Sequence, residues 1–161
     1  MLLLRLYIAL TWERLELKEH TCCIIGHSKL HGADLESNVF SVLEDLIQLG
    51  VTHFLNGGMG EFDWLCARQL SVLKEIYKEI ESCLVIPYLN FQSYDPVLYD
   101  TVLFPALENC YYKKAIIQRN RYMVDSAAHA VCYVKAPFGG AAATLAYAKK
   151  QQILLHPILD E

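Results

Sequence analysis

Between Val51 and Asp63 the chain passes from a strand-like run through a glycine cluster into a helix. The apolar run Val51 to Leu55 meets Asn56-Gly57-Gly58-Met59-Gly60. From there Phe62, Leu65, Cys66, Leu70, Val72, Leu73, Ile76 and Tyr77 recur near a spacing of 3.6, predicting a helix to about Ile80. Glycine admits a positive φ and lets another group approach the backbone. A helix start carries unpaired N–H donors and the positive end of the dipole, which suits a phosphate or another anion. The same turn also serves where nothing binds, and a lone glycine turn does not decide between the two. The junction recurs: the run Ala130 to Val134 leads into Ala136-Pro137-Phe138-Gly139-Gly140 and a helix from Ala141 to Lys150. Two such turns can lie side by side at the C-terminal edge of a parallel sheet, where open α/β folds bind ligands.

The rest of the chain alternates in the same way. Thr21 to Gly26 is a continuous apolar run ended by glycine, predicting a strand buried on both faces. His27-Ser28-Lys29 is a polar loop at its end, and Asp34 or Ser37 is expected to cap a helix carrying Val39, Phe40, Val42, Leu43, Leu46 and Ile47. Gly50 ends that helix. Ser82 to Tyr88 is a third strand, Asn90 to Asp100 a loop, and Thr101 to Phe104 a short strand. No clear period runs from Pro105 to Ile117; Gln118 to Ala128 reads as a helix, and Ile153-Leu154-Leu155 as a last strand. This alternation predicts an α/β fold, a three-layer sandwich with a mainly parallel sheet.

A length of 161 residues fits one domain, with residues 1–19 as an N-terminal extension and 20–161 as the domain. The net charge of −4 leaves no overall basic footprint, so duplex nucleic acid is not the expected partner. The six cysteines form no C-x-x-C pair, and no metal site is expected. Cys22, Cys23, Cys83 and Cys132 fall in apolar runs, the usage of a reducing, cytoplasmic setting. No apolar run approaches the ~20 residues that span a bilayer, so no membrane is expected as partner. Leu2, Leu3, Leu4, Leu6, Tyr7 and Ile8 add to an apolar excess that points to a homo-oligomer.

Four stretches carry a family resemblance. They are Cys22-Cys23-Ile24-Ile25-Gly26-His27, Asn56-Gly57-Gly58-Met59-Gly60-Glu61-Phe62-Asp63, Gln118-Arg119-Asn120-Arg121-Tyr122-Met123-Val124-Asp125, and Gly139-Gly140-Ala141-Ala142-Ala143-Thr144-Leu145-Ala146-Tyr147-Ala148. In order and spacing they resemble the YpsA-like branch of the SLOG superfamily, which joins the DNA-processing protein A and LOG families. The resemblance covers about residues 20 to 156. It implies a Rossmann-like fold and a nucleotide-type ligand, and gives a site more firmly than a reaction. One departure bears on chemistry. The LOG phosphoribohydrolases carry a catalytic Glu after their paired glycines, and the corresponding position here is Ala146. Alanine can neither transfer a proton nor stabilise an oxocarbenium-like state.

The expected cleft joins Gly26, His27 and Ser28 to the loop Asn56, Gly57, Gly58, Met59 and Gly60 with Asp63, and to Gly139, Gly140, Ala141 and Thr144. The glycines would leave N–H groups open, with positive φ at Gly58 and Gly140. Arg119 and Arg121 lie two apart and do not share a helix face. One is expected to reach a ligand phosphate while the other pairs with a carboxylate such as Asp125; both solvated is the alternative. Asp63 either stabilises its helix start or serves the site by binding a ribose hydroxyl or orienting the loop. Thr144 either back-bonds in its helix or faces the ligand. His27 either donates to a phosphate or is a hydrogen-bonded loop residue. The aromatic group Tyr88, Phe91, Tyr94 and Tyr99 reads as packing. The expected function is binding or sensing of a nucleotide-like, phosphate-bearing small molecule, with no cofactor identified. The rival is hydrolysis of an N-glycosidic bond in a nucleotide or NAD-derived molecule, for which Glu61, Asp63 and His27 are the catalytic candidates. A single-stranded DNA-binding module is a third reading.

Overall fold

The computed structural model of the chain describes residues 16–92, 94–105 and 111–160. A helical turn at 16–19 leads into strand β1 (Thr21–Gly26). Helix α1 (Glu36–Gln48), β2 (His53–Asn56), α2 (Glu61–Lys74) and β3 (Glu81–Val85) follow. A 3-10 turn, Pro96–Leu98, precedes β4 (Thr101–Leu103). The chain then runs through α3 (Tyr112–Asp125), β5 (His129–Tyr133), α4 (Gly140–Lys150) and β6 (Leu154–Pro157). Among the described residues the sheet has six strands in the order β4-β3-β2-β1-β5-β6, and every pair is parallel.

The period of two in β1 builds both halves of the core. Cys22 and Ile24 face one way, onto Val39, Leu43, Leu46 and Ile47 of α1 and Phe62, Leu65, Cys66, Leu70 and Leu73 of α2. Cys23 and Ile25 face the other way, onto Met123 and Val124 of α3 and Ala148 of α4. A strand covered on both faces has no polar side, which is why β1 reads as an unbroken apolar run. Five cysteines are free and buried among the described residues. Burial pushes the Cys23 thiol up to about 12, so it packs as an unreactive apolar group. Tyr88, Phe91, Tyr94 and Tyr99 pack together over Leu84 and Ile86, with Phe91 and Tyr94 stacked at 6.1 Å.

Several boundaries differ from the sequence expectations. Leu35, not Asp34 or Ser37, occupies the N-cap of α1. Its side chain is buried, so packing fixes the helix entry, while Asp34 Oδ1 accepts the Glu36 N–H at 3.4 Å from outside. Helix α2 stops at Lys74, well before Ile80. There the bonds tighten, with Ile76 N–H donating to Leu73 O at 3.0 Å, and the Lys74 ammonium caps Ile80 O. The apolar period continues past that end because Tyr77 still packs on the core. Helix α3 starts at Tyr112, six residues before the expected Gln118. Tyr112, Lys113 and Lys114 are exposed and give no amphipathic signal. The expected extension lies outside the described residues up to residue 15.

Candidate functional site

From β1 the chain steps outward through β2, β3 and β4, then α3 returns it to β5 on the other side of β1. The loops leaving β1 and β5 therefore diverge, opening a crevice at the C-terminal ends of these strands. A cleft of about 360 Å³ lies there, lined by the ends of β1 and β2, the inner face of α3 and the start of α4.

The first glycine loop is held closed by its own neighbours. Asn56, fully buried, accepts the Gly58 N–H and donates to Asp63 O, both at 2.8 Å. Asp63 Oδ2 accepts the Met59 N–H at 3.0 Å, and Trp64 Nε1 donates to Gly58 O at 3.1 Å. The first N–H groups of α2 are also taken: Glu61 donates to Ser28 O at 3.0 Å and Phe62 to His27 O at 3.4 Å. The expectation that this loop leaves its donors open is thereby corrected for Gly58 and for the α2 start. Its glycines answer to packing. Gly58 has φ +65°, and a Cβ there would lie 2.6 Å from Leu84 Cδ1. A Cβ at Gly60 would lie 2.5 Å from Ser28 Cα.

Arg119 underlies this loop and is only 2% exposed. Its Nη1 donates to Val85 O at 2.8 Å and Gly57 O at 3.0 Å, its Nε to Asn120 Oδ1 at 2.8 Å, and its Nη2 meets Met59 Sδ at 3.0 Å. These bonds tie α3 to the end of β3 and to the glycine loop. Guanidinium remains charged even here, so the cleft keeps a fixed buried cation. Asp63 opens onto the cleft but is densely surrounded by protein. That burial raises its carboxyl from 3.8 to about 6, while the Met59 N–H and the Arg119 charge hold it down. The carboxyl thus titrates in the range useful for proton transfer.

The second glycine loop is open. Gly139 caps α4 with φ +94°, and the positive φ expected at Gly140 falls on Gly139 instead. Nothing lies within 4 Å of a Cβ built at either glycine. No side chain caps α4, and among the described residues the N–H groups of Gly140, Ala141 and Ala142 have no acceptor. They are the free first-turn donors of an 11-residue helix, and Gly140 and Ala141 line the cleft. Thr144 also lines it; it back-bonds to Gly140 O at 2.8 Å and accepts from Asn120 Nδ2 at 3.3 Å, linking α4 to Arg119 through Asn120.

His27 joins the two sides. Its Nε2 accepts the N–H groups of Lys135 at 2.6 Å and Ala136 at 3.2 Å. An Nε2 that accepts twice places the ring proton on Nδ1. The loop-residue reading thus describes its bonding, although the ring still lines the cleft beside Gly26 and Ser28.

Three expected binding residues and one catalytic candidate stand outside the lining. Asn56 and Gly58 support the loop from behind. Glu61 turns to the 28–30 segment, where Oε2 accepts the Leu30 N–H at 2.5 Å and Oε1 lies 3.7 Å from Lys29 Nζ. Arg121 sits on the outer face of α3, its guanidinium 5.2 Å from the Tyr147 ring centre. Asp125 takes the Tyr147 hydroxyl at 2.8 Å in place of the arginine expected there.

The structure adds Ile24, Ile25, Ile116, Asn120, Met123 and Phe138 to the lining. Ile116 and Met123 flank Arg119 at i−3 and i+4, so helical spacing finds them once α3 is started early enough. Among the described residues no group of three or more His, Cys, Asp or Glu is placed to hold a metal ion.

No protein-family model matches the chain, and no curated protein is significantly similar to it in sequence. Solved structures are similar. DNA processing protein A of Streptococcus pneumoniae aligns at 14% identity and TM-score 0.61, over 88% of this chain and 50% of that one. The Helicobacter pylori protein of the same name, described for its single-stranded DNA binding mode, aligns at 13% and 0.64, over 90% and 67%. The molybdenum cofactor carrier protein of Chlamydomonas reinhardtii aligns at 13% and 0.56, over 86% and 75%. The chain thus spans half the length of the Streptococcus protein, and at these identities what it shares with all three is the Rossmann-like fold.

Proposed function

We propose that the cleft binds a nucleotide-like, phosphate-bearing small molecule with its anion at the start of α4. The observation that carries this reading is the juxtaposition of open first-turn N–H groups, at Gly140 and Ala141, with a buried Arg119 lining the same cleft. Helix dipole, free donors and a fixed cation all favour negative charge there. The likeness to a cofactor carrier supports a small-molecule ligand. The YpsA-like branch of the SLOG superfamily, a single domain over residues 20–161, a homo-oligomer and a cytoplasmic setting belong to the same proposal. The test is calorimetry against nucleoside monophosphates, cyclic nucleotides, NAD and ADP-ribose. Wild type should bind at least one of them, and Gly140→Val should weaken it by covering the donors. Equal binding by a folded Gly140→Val protein would place the site elsewhere.

A second reading is favoured by the placement of Asp63 on the cleft wall, where burial pushes its carboxyl up to about 6. A group titrating there can serve as general acid or base in cleaving an N-glycosidic bond. Incubation with nucleoside monophosphates and NAD should then release free base, and Asp63→Asn should abolish the release. No base from any member of that panel removes the hydrolase reading and leaves binding intact.

A further inference from the structure

We infer that Phe138 stacks on a planar heterocycle of the ligand, so that the cleft selects an aromatic nucleotide over a plain sugar phosphate; this rests on the anion site proposed above. Phe138 is 78% exposed although it lines the cleft. Within the core, Phe62 stacks on Tyr133 at 5.8 Å and Phe91 on Tyr94. Among the described residues no ring packs against Phe138.

Phe138 lies in the turn that opens α4, between Pro137, whose ring locks its own φ, and Gly139, which holds φ +94°. Its phenyl group stands at the lip of the cleft. The open N–H of Gly140 follows two residues later, so the Cα atoms are at most roughly 7.6 Å apart. A phosphate seated on α4 brings the next part of its molecule towards this ring.

The lining combines polar and apolar groups, as a nucleotide does. Arg119, Asp63 and the α4 donors offer charge and hydrogen bonds, and beside them Ile116, Met123 and Phe138 offer apolar surface in the same cleft. Its volume of about 360 Å³ falls within the roughly 300–1,000 Å³ of small-ligand pockets. Ring-on-base stacking tolerates any base, because every base has a π face.

The experiment is titration calorimetry of wild type, Phe138→Ala and Phe138→Trp with two probes, adenosine 5′-monophosphate and ribose 5-phosphate. An exposed residue can be changed without loss of fold, which thermal melts verify. Wild type should bind the nucleotide more tightly than the sugar phosphate. Phe138→Ala should weaken the nucleotide roughly 5- to 100-fold and leave ribose 5-phosphate unchanged, and Phe138→Trp should restore or exceed wild type. If wild type binds both probes equally, or if Phe138→Ala weakens both or neither, the stacking role is refuted while the anion site stands. If wild type binds neither probe, the stacking role is refuted, and the anion site falls only if the wider panel of cyclic nucleotides, NAD and ADP-ribose also fails to bind.

Discussion

Replacing Asp63 by asparagine should stabilise the free protein, by an amount that depends on pH. Burial raises this carboxyl from 3.8 to about 6, a value that already includes the attraction of Arg119 and the Met59 N–H. At 1.36 kcal/mol per pKa unit, ionised Asp63 costs the folded state about 3 kcal/mol. The folded pKa lies above the unfolded one, so the folded state holds more protons between pH 3.8 and 6. Stability therefore falls as pH rises through that window and levels off above about pH 7. Asparagine keeps an oxygen to accept the Met59 N–H and carries no charge to desolvate. The expected gain is about 3 kcal/mol at pH 8, roughly 6–10 °C in melting temperature for a chain of this length. It should shrink to about half at pH 5, where the folded carboxyl is mostly protonated but the unfolded one is not. Urea unfolding of both proteins at pH 8 and pH 5 measures it. A destabilised Asp63→Asn at pH 8, or a gain equal at both pH values, would refute the argument that this carboxylate is held in a desolvating site. The cost has a functional sense, since a ligand hydroxyl donating to Asp63 would recover part of it.

Gly58→Ala places a side chain at φ +65° and 2.6 Å from Leu84 Cδ1, so it should cost about 2–4 kcal/mol in chemical denaturation; a loss under about 0.5 kcal/mol would show that the loop can relax. Gly139→Ala should cost about 1–2 kcal/mol through its φ of +94°, whereas Gly140→Ala, in open space at a helix start, should be neutral or stabilising, and the reverse order would overturn this assignment of the two glycines. His27→Ala removes the acceptor shared by the Lys135 and Ala136 amides, so both should exchange with deuterium faster while amides of the α1 core hold; unchanged protection would mean that another group takes them. Arg121→Ala should leave ligand affinity unchanged and alter stability by at most about 1 kcal/mol, because its side chain sits outside the cleft on an exposed ring contact.

The amino-acid order alone settled the layers of this protein. An unbroken apolar β1, helices with an apolar stripe and glycine at two strand-to-helix junctions leave few alternatives to a parallel sheet sandwiched by helices. Both glycine loops and most of the cleft lining were legible for the same reason, since each lies where a strand run stops. Only the tertiary structure decided which loop is open. The donors at the α2 start are taken by the His27 and Ser28 carbonyls; β1 lies equally beside β5, but among the described residues no carbonyl of its loop reaches the α4 start. Local sequence presents the two junctions alike, and the difference comes from groups more than 30 residues away. Packing likewise chose between Arg119 and Arg121. Helix α3 begins in exposed residues without an apolar period, so its inner face could not be placed until the helix lay on the sheet. That docking turned Arg119 inward to Val85 O and Gly57 O and left Arg121 on Tyr147. The raised carboxyl of Asp63 is set by the same packing, because desolvation depends on the atoms that surround a group and not on its sequence neighbours.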